Sequence, residues 1–351
     1  TFGEPDARTT IGGLVMFRQQ WLSAASLCLL MAVAALSGCK KQPPSAPTSG
    51  PGPTAGAPGP EYKVALVMKT MTNPFFITME KGAREAADEL GVRLIVQTPP
   101  KETDIDKQID IVRDMISQGV DAICIAPADS KMIIESLLEA KRAGIVVINL
   151  DNRVDPEAAA EAGLRLDSYV GADNEEGGYL ASKRLADLMG GEGKAAMLEG
   201  IQGVDNAEAR KRGFLKAMQE HPDIEIVAMQ TANWQTEQAV DVMRDILAKN
   251  PDLQGLFCAN DMMALGAIEA IAAAGKTGEI YVTSYDNLEA AREEIKAGRI
   301  DATIEQHPEL MGKWGVEFAV QKLNGQSIPG EKLVTLDVIT KEDLSGAGPE
   351  A

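Results

Sequence analysis

Aromatic side chains are scarce in this chain, at 4 % of its 351 residues, so each one near a candidate site carries information. Histidine is scarcer still, with two residues, His221 and His307, far apart in the sequence. A catalytic or metal centre built on clustered histidines therefore lacks its members. Basic residues are outnumbered 34 to 52, and the net charge of −18 removes the positive footprint that nucleic acid requires. No apolar run reaches the roughly 20 residues of a comfortable membrane span. The four cysteines form neither a metal knuckle nor a disulfide framework. Cys124 and Cys258 lie within strand-like runs and read as small buried hydrophobes. No nucleophile constellation or nucleotide-binding loop is evident, and no cofactor is expected.

What is present begins with the stretch from Tyr62 to Gly82. Val64–Met68 is a short apolar run, the pattern of a strand covered on both faces. Pro74 sits where a helix should start, with Asn73 as its cap, and Gly91 ends the apolar period. This is a first βα unit, and in open parallel sheets ligands bind beyond the carboxyl ends of the strands. A nucleotide-binding version of this turn would carry Gly-x-Gly-x-x-Gly. Here the turn has no glycine and offers Lys69, Asn73, Phe75 and Phe76 instead. An amide and two rings suit hydroxyls and the apolar face of a sugar.

Strand-like and helical patterns then alternate, which argues a parallel α/β architecture. The expected strands are Val64–Met68, Arg93–Val96, Ala122–Ile125, Ile145–Leu150, Tyr169–Gly171 and Ala195–Leu198. Ile226–Met229, Leu256–Ala259, Ile280–Ser284, Ala302–Ile304 and Leu333–Val338 follow. These are too many for one ordinary open sheet, so two similar lobes are expected. Several runs end in Asn and Asp: Ile148-Asn-Leu-Asp-Asn152, Cys258-Ala-Asn-Asp261 and Ser284-Tyr-Asp-Asn287. Such residues also serve as helix caps and turns, and Asp261 is expected to cap the helix that follows it. Their recurrence at strand ends points to a polyhydroxylated ligand.

The first 60 residues read as an address and a tether. Residues 1–15 resemble an upstream extension before a start at Met16, and residues 16–38 resemble a secretory signal with an apolar stretch from Leu22 to Leu36. Leu36-Ser-Gly-Cys39 resembles a bacterial lipobox, in which Cys39 is lipidated. Residues 39–60 are rich in Pro, Gly, Ser and Ala and read as a tether.

Over nearly all of Glu61 to Lys341 the chain resembles the bacterial periplasmic sugar-binding proteins of the ribose- and allose-binding family. The motifs that carry the resemblance are Lys69-Thr-Met-Thr-Asn-Pro-Phe-Phe, Asn149-Leu-Asp, Glu208-Ala-Arg and Cys258-Ala-Asn-Asp-Met-Met-Ala-Leu-Gly. The resemblance implies two doubly wound parallel-sheet lobes, joined by a three-crossover hinge, with the ligand in the cleft. It places residues 61–172 and 307–335 in the N-terminal lobe, and 173–306 and 336–351 in the C-terminal lobe. It implies ligand contacts from Asn73, Phe75, Phe76 and Asp151 in the first lobe, and from Arg210, Trp234, Asn260 and Asp286 in the second. Gln306 lies at a crossover, and Lys69 matches a lysine of the allose-type members. Asn152 stands where ribose binders carry arginine and allose binders glutamate, and is expected at the ligand as well.

The implied protein is a monomeric, exported, lipid-anchored solute receptor that hands a monosaccharide to an ABC permease. A sensor that presents its ligand to a chemoreceptor or receptor kinase uses the same closed form. A sugar-processing enzyme using Asp151 and Asp286 as a carboxylate pair is the third reading. The anchor is directly testable. Cys39→Ala should release the protein from the membrane fraction or leave it unprocessed, as fractionation and N-terminal mass spectrometry would report; a mature N-terminus elsewhere refutes the lipobox.

Overall fold

The structure is a computed structural model and describes residues 62–346. Cys28, Cys39 and the signal and tether segments lie outside the described residues. The chain opens with β1 (Lys63–Val67), α1 (Pro74–Leu90), β2 (Arg93–Gln97), α2 (Ile105–Ser117), β3 (Ala122–Ile125) and α3 (Ile134–Arg142). It continues with β4 (Val146–Leu150), α4 (Pro156–Glu161) and β5 (Ser168–Gly171). A second series then runs α5 (Asn174–Leu188), β6 (Glu192–Glu199), α6 (Asp205–Gln219), β7 (Asp223–Thr231), α7 (Thr236–Lys249), β8 (Gly255–Cys258) and α8 (Asp261–Ala273). It closes with β9 (Tyr281–Thr283), α9 (Glu289–Ala297) and β10 (Ala302–Glu305). After these come α10 (Pro308–Leu323), β11 (Glu331–Leu333), β12 (Asp337–Thr340) and α11 (Lys341–Leu344).

The strands form two six-stranded sheets, ordered β11-β5-β4-β3-β1-β2 and β12-β10-β9-β8-β6-β7. Without the last strand of each, the same doubly wound order occurs twice, and each lobe has a switch point where that order reverses. The central strands are buried on both faces: every residue of β3, β4, β5 and β8 is buried. Their runs are apolar without alternation because helices cover both sides.

The helices obey local signals. Asn73 caps α1 by accepting the Phe75 amide at 3.0 Å, and Gly91 terminates it in the left-handed region at φ 65°. Helices α1 and α10 pack backbone to backbone. A side chain on Gly82 would overlap the carbonyl of Glu309, so only glycine admits this approach. Helix α10 thereby joins the first lobe although the second lobe precedes it in sequence. The chain crosses between lobes between β5 and α5, between β10 and α10, and between β11 and β12.

Two expectations are corrected here. Leu333–Val338 is not one strand: β11 pairs with β5 in parallel, while β12 pairs antiparallel with β10 in the other sheet. The intervening Val334–Leu336 is spent on the crossover, and β12 is the one antiparallel strand among the described residues. Asp261 is not the cap of α8. Asn260 caps it, accepting the Met263 amide at 2.9 Å. The Asp261 carboxylate turns inward, accepting from the Ser284 and Thr303 hydroxyls and from the Leu288 amide. It ties the ends of β8, β9 and β10 together, and burial pushes its pKa up to about 7.

His307, far from the other histidine in sequence, is not isolated in space. It sits with φ at 50° where the chain enters α10, and its Nε2 lies 3.0 Å from the Asp337 carboxylate of β12. This contact links two crossovers. Burial lowers the imidazole pKa, but the Asp337 hydrogen bond and the charges of Glu305, Glu309 and Asp337 outweigh it, and the net shift is upward. A pKa raised on folding stabilises the fold fully below the ordinary value of about 6.5, and this is lost as pH rises through the folded value. We therefore expect the stability advantage of the wild-type chain over His307→Asn, which tolerates the same backbone, to shrink as pH rises above about 6.5. Thermal unfolding midpoints across that range give the check; a constant difference contradicts it.

Candidate functional site

The carboxyl ends of the two sheets face each other across a narrow cavity. The wall residues come from the loops after the strands and from the helices those loops lead into: Lys69 follows β1, Glu102 follows β2, and Asp151 follows β4. From the second lobe, Asn206 and Arg210 lie in α6, Trp234 follows β7, Asn260 follows β8, Asp286 follows β9, and Gln306 follows β10. Asn73, Phe75 and Phe76 come from the start of α1. Every candidate named from the sequence except Asn152 lines this cavity.

Each lobe holds an ion pair. Lys69 Nζ lies 3.0 Å from Asp151 Oδ2, both side chains about 4 % exposed. Arg210 Nη1 lies 3.7 Å from Asp286 Oδ1 and donates to the Ala259 carbonyl at 2.7 Å, while its Nε donates to Asn174 at 2.9 Å. The guanidinium is stacked 3.6 Å from the centre of the Tyr285 ring. Burial pushes the Asp286 carboxyl up, opposed by the Arg210 charge. Glu102 is the fifth ionisable wall residue. It accepts from Asn73 Nδ2 at 3.3 Å, and its burial raises its pKa against the pull of Lys69. Two cations and two carboxylates thus balance, and a carboxyl held toward its neutral form can donate as well as accept.

The aromatic groups frame these charges. Phe75 and Phe76 pack edge to face at 5.1 Å between ring centres, and Lys69 Nζ is 5.7 Å from the centre of Phe76. Trp234 lies flat across Gly200, where any Cβ would overlap its indole. Residues Asn233 and Trp234 both have positive φ, at 51° and 65°, and the turn is braced by Thr231, whose hydroxyl donates to the Gly200 carbonyl and accepts the Asn233 amide. Asp151 and Asp286 are likewise left-handed, at φ 54° and 113°. Strain of this kind concentrates where side chains must be aimed.

Several buried polar atoms are unpaired at the wall: Gln306 Oε1, Asn206 Oδ1 and Trp234 Nε1. Gln306 spends its amide nitrogen on Asp286 Oδ1 at 2.7 Å. The inner cavity has a volume of about 20 Å³, room for about one water and not for a sugar ring. It shares Asn73, Glu102 and Trp234 with a wider chamber of about 520 Å³ that also spans the two lobes. Asn152 points elsewhere. Its Nδ2 donates to the Pro127 carbonyl at 2.9 Å and to Ser130 Oγ at 3.3 Å, and its Oδ1 accepts the Asn206 amide at 3.3 Å. Glu102 and Asn206 were not anticipated. Glu102 lies in the loop between β2 and α2 and Asn206 in the first turn of α6, and Asp205-Asn206 has the same Asn/Asp character as the strand-end clusters.

Comparison with known proteins identifies the family. The model of the periplasmic binding protein domain matches residues 64–327. The D-ribose/D-allose-binding protein of Pseudomonas aeruginosa is 39 % identical over 272 residues, covering 77 % of this chain and 85 % of the relative. The D-allose-binding periplasmic protein of Escherichia coli is 34 % identical, covering 76 % and 87 %. Among solved structures, an ABC transporter periplasmic solute-binding protein from Actinobacillus succinogenes with bound D-allose is 45 % identical. It superposes with a TM-score of 0.78, covering 81 % of this chain and 99 % of that one. These relatives are substrate-binding proteins rather than enzymes. With two doubly wound sheets facing each other over a polar cavity, the chain belongs to the periplasmic sugar-binding proteins of the ribose- and allose-binding family.

Proposed function

We propose that this chain is a lipid-anchored extracytoplasmic solute-binding protein that captures a monosaccharide of the ribose/allose class and delivers it to an ABC importer. The observation that carries the reading is the cavity wall. It joins two self-balanced ion pairs with unpaired acceptor and donor atoms, against three aromatic rings. A neutral ring bearing many hydroxyls fits such a wall. A carboxylate accepts from vicinal hydroxyls, an arginine donates in a fork, and rings cover the apolar faces. A strongly charged ligand would upset the balance inside a low-dielectric site. The named ligands of relatives, D-allose and D-ribose, belong to this chemical class.

The wall is split between lobes, and the inner cavity is too small for a ring unless the lobes part. We infer that the lobes open to admit the sugar and close over it, about the three crossovers. Neither lobe alone satisfies the hydroxyls, so the ligand has the differential affinity for the closed state that such a motion requires. The closed pair presents a composite surface for a permease. Export to the periplasm fits the family, and Leu36-Ser-Gly-Cys39 supports a lipid anchor there.

A thermal-shift screen of aldoses should reveal one or a few strong ligands, because a ligand at a hundredfold excess over Kd stabilises the native state by about 2.7 kcal/mol. Mass spectrometry of the recovered ligand should find it unchanged; release of a modified sugar over hours refutes pure binding. For the best ligand, Asp151→Ala and Arg210→Ala should each lower affinity by about 2–5 kcal/mol, because each leaves buried polar partners unpaired. Calorimetric titration checks this, and a loss below 1 kcal/mol for both would remove them from the site.

A further inference from the structure

Helix α6 lacks a cap of its own. Its N-cap position is Val204, whose side chain offers no acceptor to the first turn. The first amides of a helix have no partner within it and must find one elsewhere. In α6 they find it in the other lobe. The Asp205 amide donates to Ser130 Oγ at 3.0 Å, and the Asn206 amide to Asn152 Oδ1 at 3.3 Å. These acceptors are themselves fixed. Asn152 Nδ2 donates to Pro127 O and to Ser130 Oγ, so the two acceptors brace each other. The turn that carries Asn152 is held by Asn149, whose Nδ2 donates to the Asn152 carbonyl at 2.8 Å and whose Oδ1 accepts the Val154 amide at 2.9 Å. Asn152 is fully buried, and Ser130 and Asn206 nearly so.

We propose that Asn152 and Ser130 are a cap delivered across the cleft: they complete α6 only when the lobes are together, so closure carries stabilisation that does not come from the ligand. Asn152 then acts as a positioning residue. It holds the main chain of Asn206, whose side chain lines the cavity with an unpaired Oδ1. Opening the lobes strips the cap from α6 and carries Asn206 away from the first lobe's part of the wall in one step. The inference rests on the reading of the protein as a lobe-closing binder. The role of Asn152 is distinct from contact with the sugar, since its amide is spent on protein partners.

The test uses the full chain and the variants Asn152→Ala, Ser130→Ala and Ser130→Thr, the last of which keeps the acceptor oxygen. D-allose and D-ribose are the probes, by calorimetry and stopped-flow dissociation, beside small-angle scattering of each ligand-free protein. Loss of a helix cap or of a net hydrogen bond corresponds to roughly a fivefold to tenfold change in an equilibrium. Asn152→Ala and Ser130→Ala should therefore weaken both sugars by about that factor, faster release accounting for most of it. The ranking of the two sugars should be preserved, and Ser130→Thr should restore most of the loss. Ligand-free scattering should shift toward a larger radius of gyration in the two alanine variants. A changed ranking overturns the proposal, because it would mean that Asn152 touches the sugar. Unchanged affinities together with unchanged scattering also overturn it. If neither sugar bound the wild-type chain, the binding reading would fail while the scattering comparison alone would still decide the cap. Should Asn152→Ala fail to fold, the Ser130 pair carries the same comparison.

Discussion

Charge balance within each lobe is the constraint on which the rest of the site depends. Lys69 is paired with Asp151 inside the first lobe, and Arg210 with Asp286 inside the second. A buried charge without a partner costs several kcal/mol, whereas a buried pair roughly breaks even with apolar residues of the same size. Had the pairs been formed across the cleft, parting the lobes would have separated opposite charges, and closure would have been driven by ionic attraction whatever lay between. Because each pair is closed within its own lobe, parting the lobes separates neither pair. Selectivity then falls to hydrogen-bond geometry, which rejects a ligand lacking one hydroxyl far more strongly than an apolar slot can.

Presenting those pairs demands unusual backbone. Asp151, Trp234 and Asp286 all sit at strand ends with positive φ, a conformation that costs a residue with a side chain of order 1 kcal/mol or more. The cost is offset locally. Tyr169 donates its hydroxyl to the Asp151 carbonyl at 2.8 Å while the Asp151 amide donates to Val170. The Asp286 amide donates to Ile304, and Asn287 donates through its side chain to Glu305 and through its amide to Thr303. Asp261 completes the brace from beneath by joining the ends of three neighbouring strands. A doubly wound sheet supplies the rigid platform, and short loops bent into the left-handed region supply the aim.

Legibility in the sequence followed the range of the interactions. Features set by neighbours within about four residues could be read directly: Asn73 and Gly91 at the ends of α1, the apolar runs of β1, β3 and β8, the polar strand ends. Site residues inside motifs, such as Arg210 in Glu208-Ala-Arg, were reached through the family resemblance. What escaped was set by packing between distant segments. Nothing local reveals that Asp261 hands the cap to Asn260 and turns to Ser284 and Thr303, or that His307 meets Asp337 across 30 residues. Glu102 lies in the loop after β2, and only the pairing of β2 with β1 brings it to the wall. The strand expected over Leu333–Val338 had the right composition, but its middle is consumed by a crossover between lobes.

Asn152 shows how one position can keep its place and change its task. It stands directly after the wall residue Asp151, so strand alternation and the left-handed turn aim its side chain away from the cavity and toward the other lobe. A long charged side chain at this point could curl back to a ligand; an asparagine is too short to do so and has amide groups that match backbone partners. The Val204 position of α6 makes the complement. A helix capped by its own lobe would gain nothing from closure, whereas one capped by the facing lobe gains only then. The free energy of closing is thus divided between the sugar, which fills the wall, and the protein, which completes its own helix.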